Sequence, residues 1–218
     1  MAVSATTNSD ESDRLLRQAA DGDKEAFGTL LTQHRDRLRR MIALRLDQRL
    51  QGRVDPSDVL QEVYLEASAR LAEYLQRPAL PFYLWLRLTA GQRLAALHRH
   101  HLGAEMRDVG REISIYRGTF PEASSATLAA HLLGRETRPS EAAMRAEMKV
   151  RLQEALNRME PLDREVLALR HFEQLNMAEV AQVIESTPAA ASKRYFRALK
   201  KLKEILLEGQ PGMEGLQP

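Results

Sequence analysis

Between Pro188 and Lys203 the chain carries six cations, Lys193, Arg194, Arg197, Lys200, Lys201 and Lys203, and no acid. Ala191, Tyr195, Ala198, Leu199, Leu202, Ile205 and Leu206 recur at helical spacing and form one apolar stripe, which leaves the cations and Ser192 facing outward. Lysine and arginine in that arrangement make charge-assisted hydrogen bonds to phosphates, so the chemistry on offer is recognition of a polyanion. Covalent chemistry is not signalled. No nucleophile motif, phosphate-cradling glycine loop or zinc-protease pattern occurs, and the chain is read as not an enzyme. His98 and His101 stand one helical turn apart, which is metal-ligand spacing, but no third ligand follows before Glu105. No metal and no cofactor are therefore expected. Imidazoles beside Arg99 serve equally well as phosphate contacts or as a solvated helix tip.

A cationic helix needs something to aim it. Met177 to Ile184 reads as a short helix, and Glu185-Ser186-Thr187 as a turn, so the segment has the parts of a helix-turn-helix. Val180, Val183 and Ile184 supply the first helix with a buried side, and Ala181 is small enough for close approach of the second. Such a second helix enters a major groove with its N-terminal side chains near base edges. Ala189 and Ala190 offer apolar contact to a thymine methyl, Ser192 and Lys193 are the polar readers, and the later cations meet phosphates. The bland alternative is a charged helical hairpin that touches no DNA.

The remainder is helical in vocabulary. Aromatic residues make up only 5% of the 218 and charged residues 28%, which with abundant Leu, Ala, Arg and Glu points to an all-α chain. Absence of cysteine removes disulfides and thiolate metal sites and permits a reducing compartment. The opening MAVSATTNSDESD has neither a basic start nor an apolar core, and no run approaches eighteen apolar residues, so the chain is read as cytoplasmic, with no membrane association. A net charge of +2 is too mild to argue from, but its distribution is not. Seven arginines and two aspartates lie between Arg35 and Arg53, whereas Asp55 to Glu73 is acidic, with Arg70 its one cation.

Residues 1–11 are expected to be disordered. A short helix from Asp13 to Ala20 is followed by a break at Asp21-Gly22, and Asp23 caps a longer helix carrying Phe27, Leu30, Leu31, Leu38, Met41, Ile42 and Leu46. Asp55-Pro56-Ser57-Asp58 is a strong start, with Asp55 as N-cap and Pro56 at the first helical position. Val59, Leu60, Val63, Tyr64, Ala67 and Leu71 then face a core, while Asp58, Gln61, Glu62 and Glu66 fall on the other side as a solvated acidic face. Pro78 and Pro81 force a connection. A helix with Phe82, Tyr83 and Trp85 in its first turn follows, its apolar positions including Leu86, Leu88 and Leu94, as far as His101. Residues 103–139 lose the pattern and read as a flexible linker, in which only Ser124 to Leu133 could hold a short helix. Ser140 opens a new helix and Asp163 caps another. The expected architecture is two small helical domains, 12–102 and 140–207, with a tail from 208 to 218.

Taken in order, the basic helix, the acidic DPSDVLQEVYLEA, the aromatic PFYLWLRLTAGQRLAALHR, the linker and LDREVLALRHFEQLNMAEVAQVIESTPAAASKRYFRALKKLKEIL resemble a bacterial RNA polymerase sigma factor of the extracytoplasmic-function (ECF) type. The likeness covers residues 12 to 207. The Arg-Glu-Val-Leu-x-Leu-Arg-His run is most similar to the members abundant in planctomycete-type bacteria. The resemblance implies that the first domain is region 2-like and the last region 4-like. It implies partners too: core RNA polymerase (β′ clamp helices and β subunit), promoter DNA and an anti-sigma factor. Asp58, Gln61, Glu62 and Glu66 would dock on the clamp helices. Arg77, Phe82, Tyr83, Gln92, Arg93 and Arg99 would meet the minus-ten element, with Tyr83 the ring expected to be exposed and Trp85 assigned to the core. Ser186, Thr187, Ala189, Ala190, Ser192, Lys193, Arg194, Arg197, Lys200 and Lys201 would meet the minus-thirty-five element.

The chain departs from that family in four places. The loop that reads a flipped base is RPALP, with Arg77 and backbone groups as its only hydrogen-bonding material. Gln92 stands where Asn is common, Ala96 where an acid is, and Ala191 where a β-branched residue is frequent. A helix-turn-helix regulator that works without polymerase is the rival reading. It accounts for residues 176 to 206 equally well but gives no role to the acidic helix before the aromatic one. An interaction module held by a partner is the third, and it predicts no DNA affinity in the C-terminal half.

Overall fold

The computed structural model of the chain describes residues 3–50, 52–102, 128–129, 132 and 142–208. Among these, every regular element is helical, as the composition requires. Residues 1–43 and 50–104 form one compact unit, and residues 44–49 with 105–218 form a second.

The first unit is built from α1 (Val3–Ala20), α2 (Lys24–Arg45) as far as residue 43, α3 (Pro56–Gln76) and α4 (Phe82–Leu102). Helix α1 begins at Val3, earlier than the start expected at Asp13. The reason lies in the sequence: no glycine or proline stands between Met1 and Gly22, and nothing stops the helix from propagating toward its N-terminus. Gly22 takes a φ of 92° and ends it. Asp23 then caps α2, its Oδ1 accepting from the backbone N–H groups of Glu25 and Ala26 at 2.9 and 3.0 Å. Asp55 caps α3 in the same way, accepting from Ser57 N–H at 2.6 Å with Pro56 at the first position. Leu30, Leu38, Met41 and Ile42 of α2, Val59, Leu60, Val63 and Ala67 of α3, and Leu86, Ala90 and Leu94 of α4 fill the interior.

His34 of α2 is wedged against Phe82 and Tyr83, with ring centroids 5.8 and 5.5 Å away. Burial, helped by the nearby Arg37 charge, lowers its pKa from 6.5 to about 4. Between those two values the unfolded chain holds a proton that the folded one does not, so stability rises with pH across that window and is lost on acidification through it. Thermal melting of the first unit is expected to fall as pH drops from about 6.5 to 4, and His34→Gln is expected to flatten that part of the profile. An unchanged slope in the variant would assign the acid sensitivity to other groups.

The second unit holds α5 (Ala142–Asn157), α6 (Pro161–His171), α7 (Met177–Val183) and α8 (Pro188–Glu208). Leu152 and Leu156, Leu167 and Ala168, and Ala198 and Leu202 share one core. Leu128, Ala129 and Leu132 are helical and join it, which places structure inside the stretch where only Ser124 to Leu133 could hold a helix. The rest of the expected linker and the tail after Glu208 lie outside the described residues. Asp163 is not the cap of α6. Glu160 takes that position with Pro161 behind it, and Asp163 lies in the first turn.

Candidate nucleic-acid and partner interfaces

The helix-turn-helix of the second unit starts from a device the motif reading passed over. Asn176 accepts from Glu179 N–H at 2.9 Å while the Glu179 carboxylate accepts from Asn176 N–H at 2.8 Å, a reciprocal capping box legible in Asn-x-x-Glu. Val180 and Ala181 are buried, whereas Val183 and Ile184 are only half-buried. Glu185 adopts a φ of 51°, a left-handed conformation that glycine usually supplies, and Ser186 N–H donates to Ala181 O at 2.8 Å to close the turn. Thr187 Oγ1 accepts from Ala190 N–H at 3.2 Å, so this candidate reader also starts α8.

Along α8, Ala191, Ala198, Leu202, Ile205 and Leu206 are buried, and Tyr195 is held at their edge by His171, its hydroxyl 3.2 Å from Nε2. Ser186, Ala189, Ala190, Lys193, Arg197, Lys200 and Lys201 are exposed and Ser192 is half-buried, so the outward face contains the expected readers and phosphate ligands. Arg194 is the exception. Its Nη1 donates to Asp163 Oδ1 at 2.7 Å, a half-buried pair that ties α8 to α6. That guanidinium braces α8 against α6. Phe196 is 67% exposed on the cationic side, between Lys193 and Lys200. The apolar stripe alone could not assign it, because it lies off that stripe, and its signal was an aromatic among cations.

In the first unit, α3 presents Asp58, Gln61, Glu62 and, at 72% exposure, Leu65. The acids are not all solvated alike. Glu66 and Glu73 pair with Arg70 of the same helix at 3.3 and 3.6 Å. Glu62 Oε2 accepts from Arg93 Nε of α4 at 2.6 Å, and that hydrogen bond raises the Arg93 pKa above its already high value. Asp58 has no ion-pair partner among the described residues. A groove of about 480 Å³ opens between the two helices, lined by Asp58, Glu62, Arg93, Ala96, Leu97 and His101 among others. Small Ala96, standing where an acid is common in the family it resembles, leaves part of that room.

The aromatic turn of α4 contradicts one expectation. Tyr83 is only 4% exposed, with the Arg37 guanidinium 3.7 Å above its ring, and Phe82 and Trp85 are buried as well. Trp85 stacks on Tyr74 at 4.5 Å, and Phe82 packs edge-on to Phe27 at 6.3 Å. The first turn of α4 brings three aromatic side chains near one interior, and α2 closes over Tyr83. Arg77 is exposed at the end of α3, and the following loop is pinned by Tyr74, whose hydroxyl donates to Leu80 O at 3.0 Å. Gln92 and Arg99 are exposed and Arg93 is half-exposed. Leu88, expected among the apolar positions, is 48% exposed and lines up with Gln92 and Arg99 on one outer face of α4. His98 is buried while His100 and His101 are exposed, and among the described residues no three His, Cys, Asp or Glu side chains gather as metal ligands. No helix among the described residues is long and apolar enough to cross a membrane.

These features define a helix-turn-helix DNA-binding protein with a second helical unit that displays a partly unpaired acidic face. Comparison with known proteins narrows the class. Residues 149–202 match the family model described as Sigma-70, region 4. The ECF RNA polymerase sigma factor SigD of Mycobacterium tuberculosis is 28% identical over 94% of this chain and 88% of its own length. RNA polymerase sigma factor CarQ of Myxococcus xanthus is 23% identical over 88% of this chain and 96% of its own. Among solved structures, CnrH in complex with the cytosolic domain of CnrY has the same fold, with a TM-score of 0.55 and 21% identity over 92% of this chain and 99% of that one. Residues 149–202 thus carry the sigma-70 region 4 pattern, and most of the chain is similar to ECF RNA polymerase sigma factors.

Proposed function

We propose that this chain is a dissociable specificity subunit that joins core RNA polymerase, carries it to a promoter set and helps open the DNA there. The observation that carries the reading is the exposed α3 face of Asp58, Gln61, Glu62 and Leu65. A regulator working on DNA alone has no use for it, whereas an apolar residue ringed by acids suits a cationic helical partner such as the β′ clamp helices. Glu66, held by Arg70, sits at the rim. The β subunit is assigned as a further contact from the family likeness.

Helix α8 takes the minus-thirty-five element. Ala189, Ala190 and Phe196 supply apolar contacts to thymine methyls, Ser186, Thr187, Ser192 and Lys193 the polar ones, and Arg197, Lys200 and Lys201 the phosphate contacts. Minus-ten contacts fall to the outer face of α4, Leu88, Gln92, Arg93 and Arg99, with Arg77 at the loop, while Phe82 and Tyr83 support that face from beneath. Each DNA contact is weak alone and gains effective concentration from being carried on one polymerase. The region 2-like domain is assigned to residues 12–102 and the region 4-like domain to 140–207. The chain performs no covalent step, works in the cytoplasm beside the polymerase, and would be silenced by an anti-sigma factor covering either surface.

Arg197→Ala is expected to weaken upstream-element binding across sequences and to lower the slope of log affinity against log salt by about one. Arg194→Ala is expected to leave that slope alone and to cost the second unit about 1 kcal/mol, because it breaks the pair with Asp163. Salt titrations of duplex binding and a thermal melt separate the two, and a slope change in Arg194→Ala would return it to the phosphate ligands. The reading as a whole is tested by mixing the protein with core polymerase from its own host at moderate salt on a sizing column. Co-elution supports it, and separate elution hands the function to a polymerase-independent regulator.

A further inference from the structure

Two residues given different tasks are bonded to each other. Glu62 belongs to the proposed polymerase face and Arg93 to the proposed minus-ten face, yet Arg93 Nε donates to Glu62 Oε2 at 2.6 Å. Both side chains are near the surface, 41% exposed for Arg93 and 45% for Glu62, so neither is locked in place by burial. Asp58, one turn before Glu62 and on the same groove, has no ion-pair partner among the described residues, so the groove offers one bare carboxylate and one already taken.

A cation arriving from a partner meets Asp58 unopposed but finds Glu62 occupied. It can reach that carboxylate only beside the Arg93 guanidinium, where two like charges repel, or after Arg93 has moved away. Arg93 sits next to Gln92 and two turns from Arg99, both exposed, so a change in its own side-chain torsions turns it toward whatever anion those two residues face.

We infer that Arg93 is a shared cation: it occupies Glu62 in the free protein, is displaced when a basic side chain of the polymerase takes Glu62, and is thereby delivered to a phosphate of the minus-ten DNA. The inference rests on the proposed role of α3 as the polymerase face. It assigns Arg93 two roles in sequence, an intramolecular competitor of core polymerase and then a DNA ligand.

The test is a double-mutant cycle on core affinity with Arg93→Ala and Glu62→Gln, read by fluorescence titration of labelled protein at low salt. Arg93→Ala is expected to tighten binding about two- to fivefold in the wild-type background, the span an exposed ion pair covers. In the Glu62→Gln background it is expected to change nothing. Equal tightening in both backgrounds would mean that Arg93 acts only as one more charge facing a basic partner, and weaker binding would make it a positioning residue for Glu62. Either result overturns the competition. In a second arm, single-stranded minus-ten DNA is titrated with salt. Arg93→Ala should lower the slope by roughly 0.7 for the core-bound protein and leave the free protein unchanged, and no change when core-bound overturns the delivery step. Wild-type protein that fails to bind core overturns the polymerase reading itself, whereas binding without coupling leaves that reading standing and removes only the shared cation.

Discussion

Glu62→Lys is expected to abolish co-elution with core polymerase while leaving the protein folded. The substitution places a cation in the middle of the acidic α3 face, directly beside Arg93, where a basic partner helix would meet two like charges instead of one carboxylate. Like-charge juxtaposition at an interface costs several kcal/mol, which corresponds to at least about a hundredfold loss of affinity. The fold should be nearly indifferent. Glu62 is almost half exposed, and losing a surface ion pair costs about 1 kcal/mol at most. Co-elution at wild-type level would remove α3 from the polymerase interface. Lost binding accompanied by a large fall in melting temperature would mean that the unit had unfolded and that the face had not been tested.

Trp85→Ala is expected to produce the largest loss of stability in the first unit, about 3–5 kcal/mol. The indole stacks on Tyr74 at 4.5 Å and contacts Phe82 at 5.6 Å, and the surrounding helices cannot close over so large a void. Against a domain stability of roughly 5–15 kcal/mol, that loss leaves little or nothing. Urea unfolding followed by circular dichroism measures it. Trp85→Phe is the control that separates packing from DNA recognition: it should retain most of the stability and with it promoter opening. A Phe variant that is stable but fails to open promoter DNA would show that the ring reads DNA directly, and an Ala variant within 1 kcal/mol of wild type would take Trp85 out of the core.

Both predictions correct or refine what the residues announce by themselves, and the pattern of correction is consistent. Local signals held. Asp23 and Asp55 cap the helices they precede because an aspartate followed by two or three residues of helix can satisfy only nearby N–H groups, a matter settled within one turn. The turn between α7 and α8, and the alternation of cations and apolar residues along α8, follow equally from local spacing, and so does the acidic face of α3. The all-helical class followed from composition.

Errors arose where the deciding partner lies far along the chain. Tyr83 is the ring expected to be exposed, but Arg37 and His34 of α2, more than forty residues earlier, cover it. Arg194 reads within α8 as one more outward cation, and its pairing with Asp163 of α6, thirty-one residues away, is not legible from α8 alone. Leu88 lies in an apolar sequence and still faces solvent, since no helix among the described residues covers it. The start of α1 at Val3 was missed for a different reason: small polar residues carry no apolar periodicity to read, yet they contain nothing that breaks a helix.

The sequence alone therefore determined most of the helix starts, the turn before α8 and which faces are charged, because capping, helical period and side-chain charge act over a few residues. Only the tertiary structure decided which of those charges are available. Glu62 is paired with Arg93, Arg194 with Asp163, and Asp58 is left without an ion-pair partner among the described residues. Pairing across helices depends on which turn of one element lies against which turn of another, and that is fixed by core packing rather than by spacing along the chain.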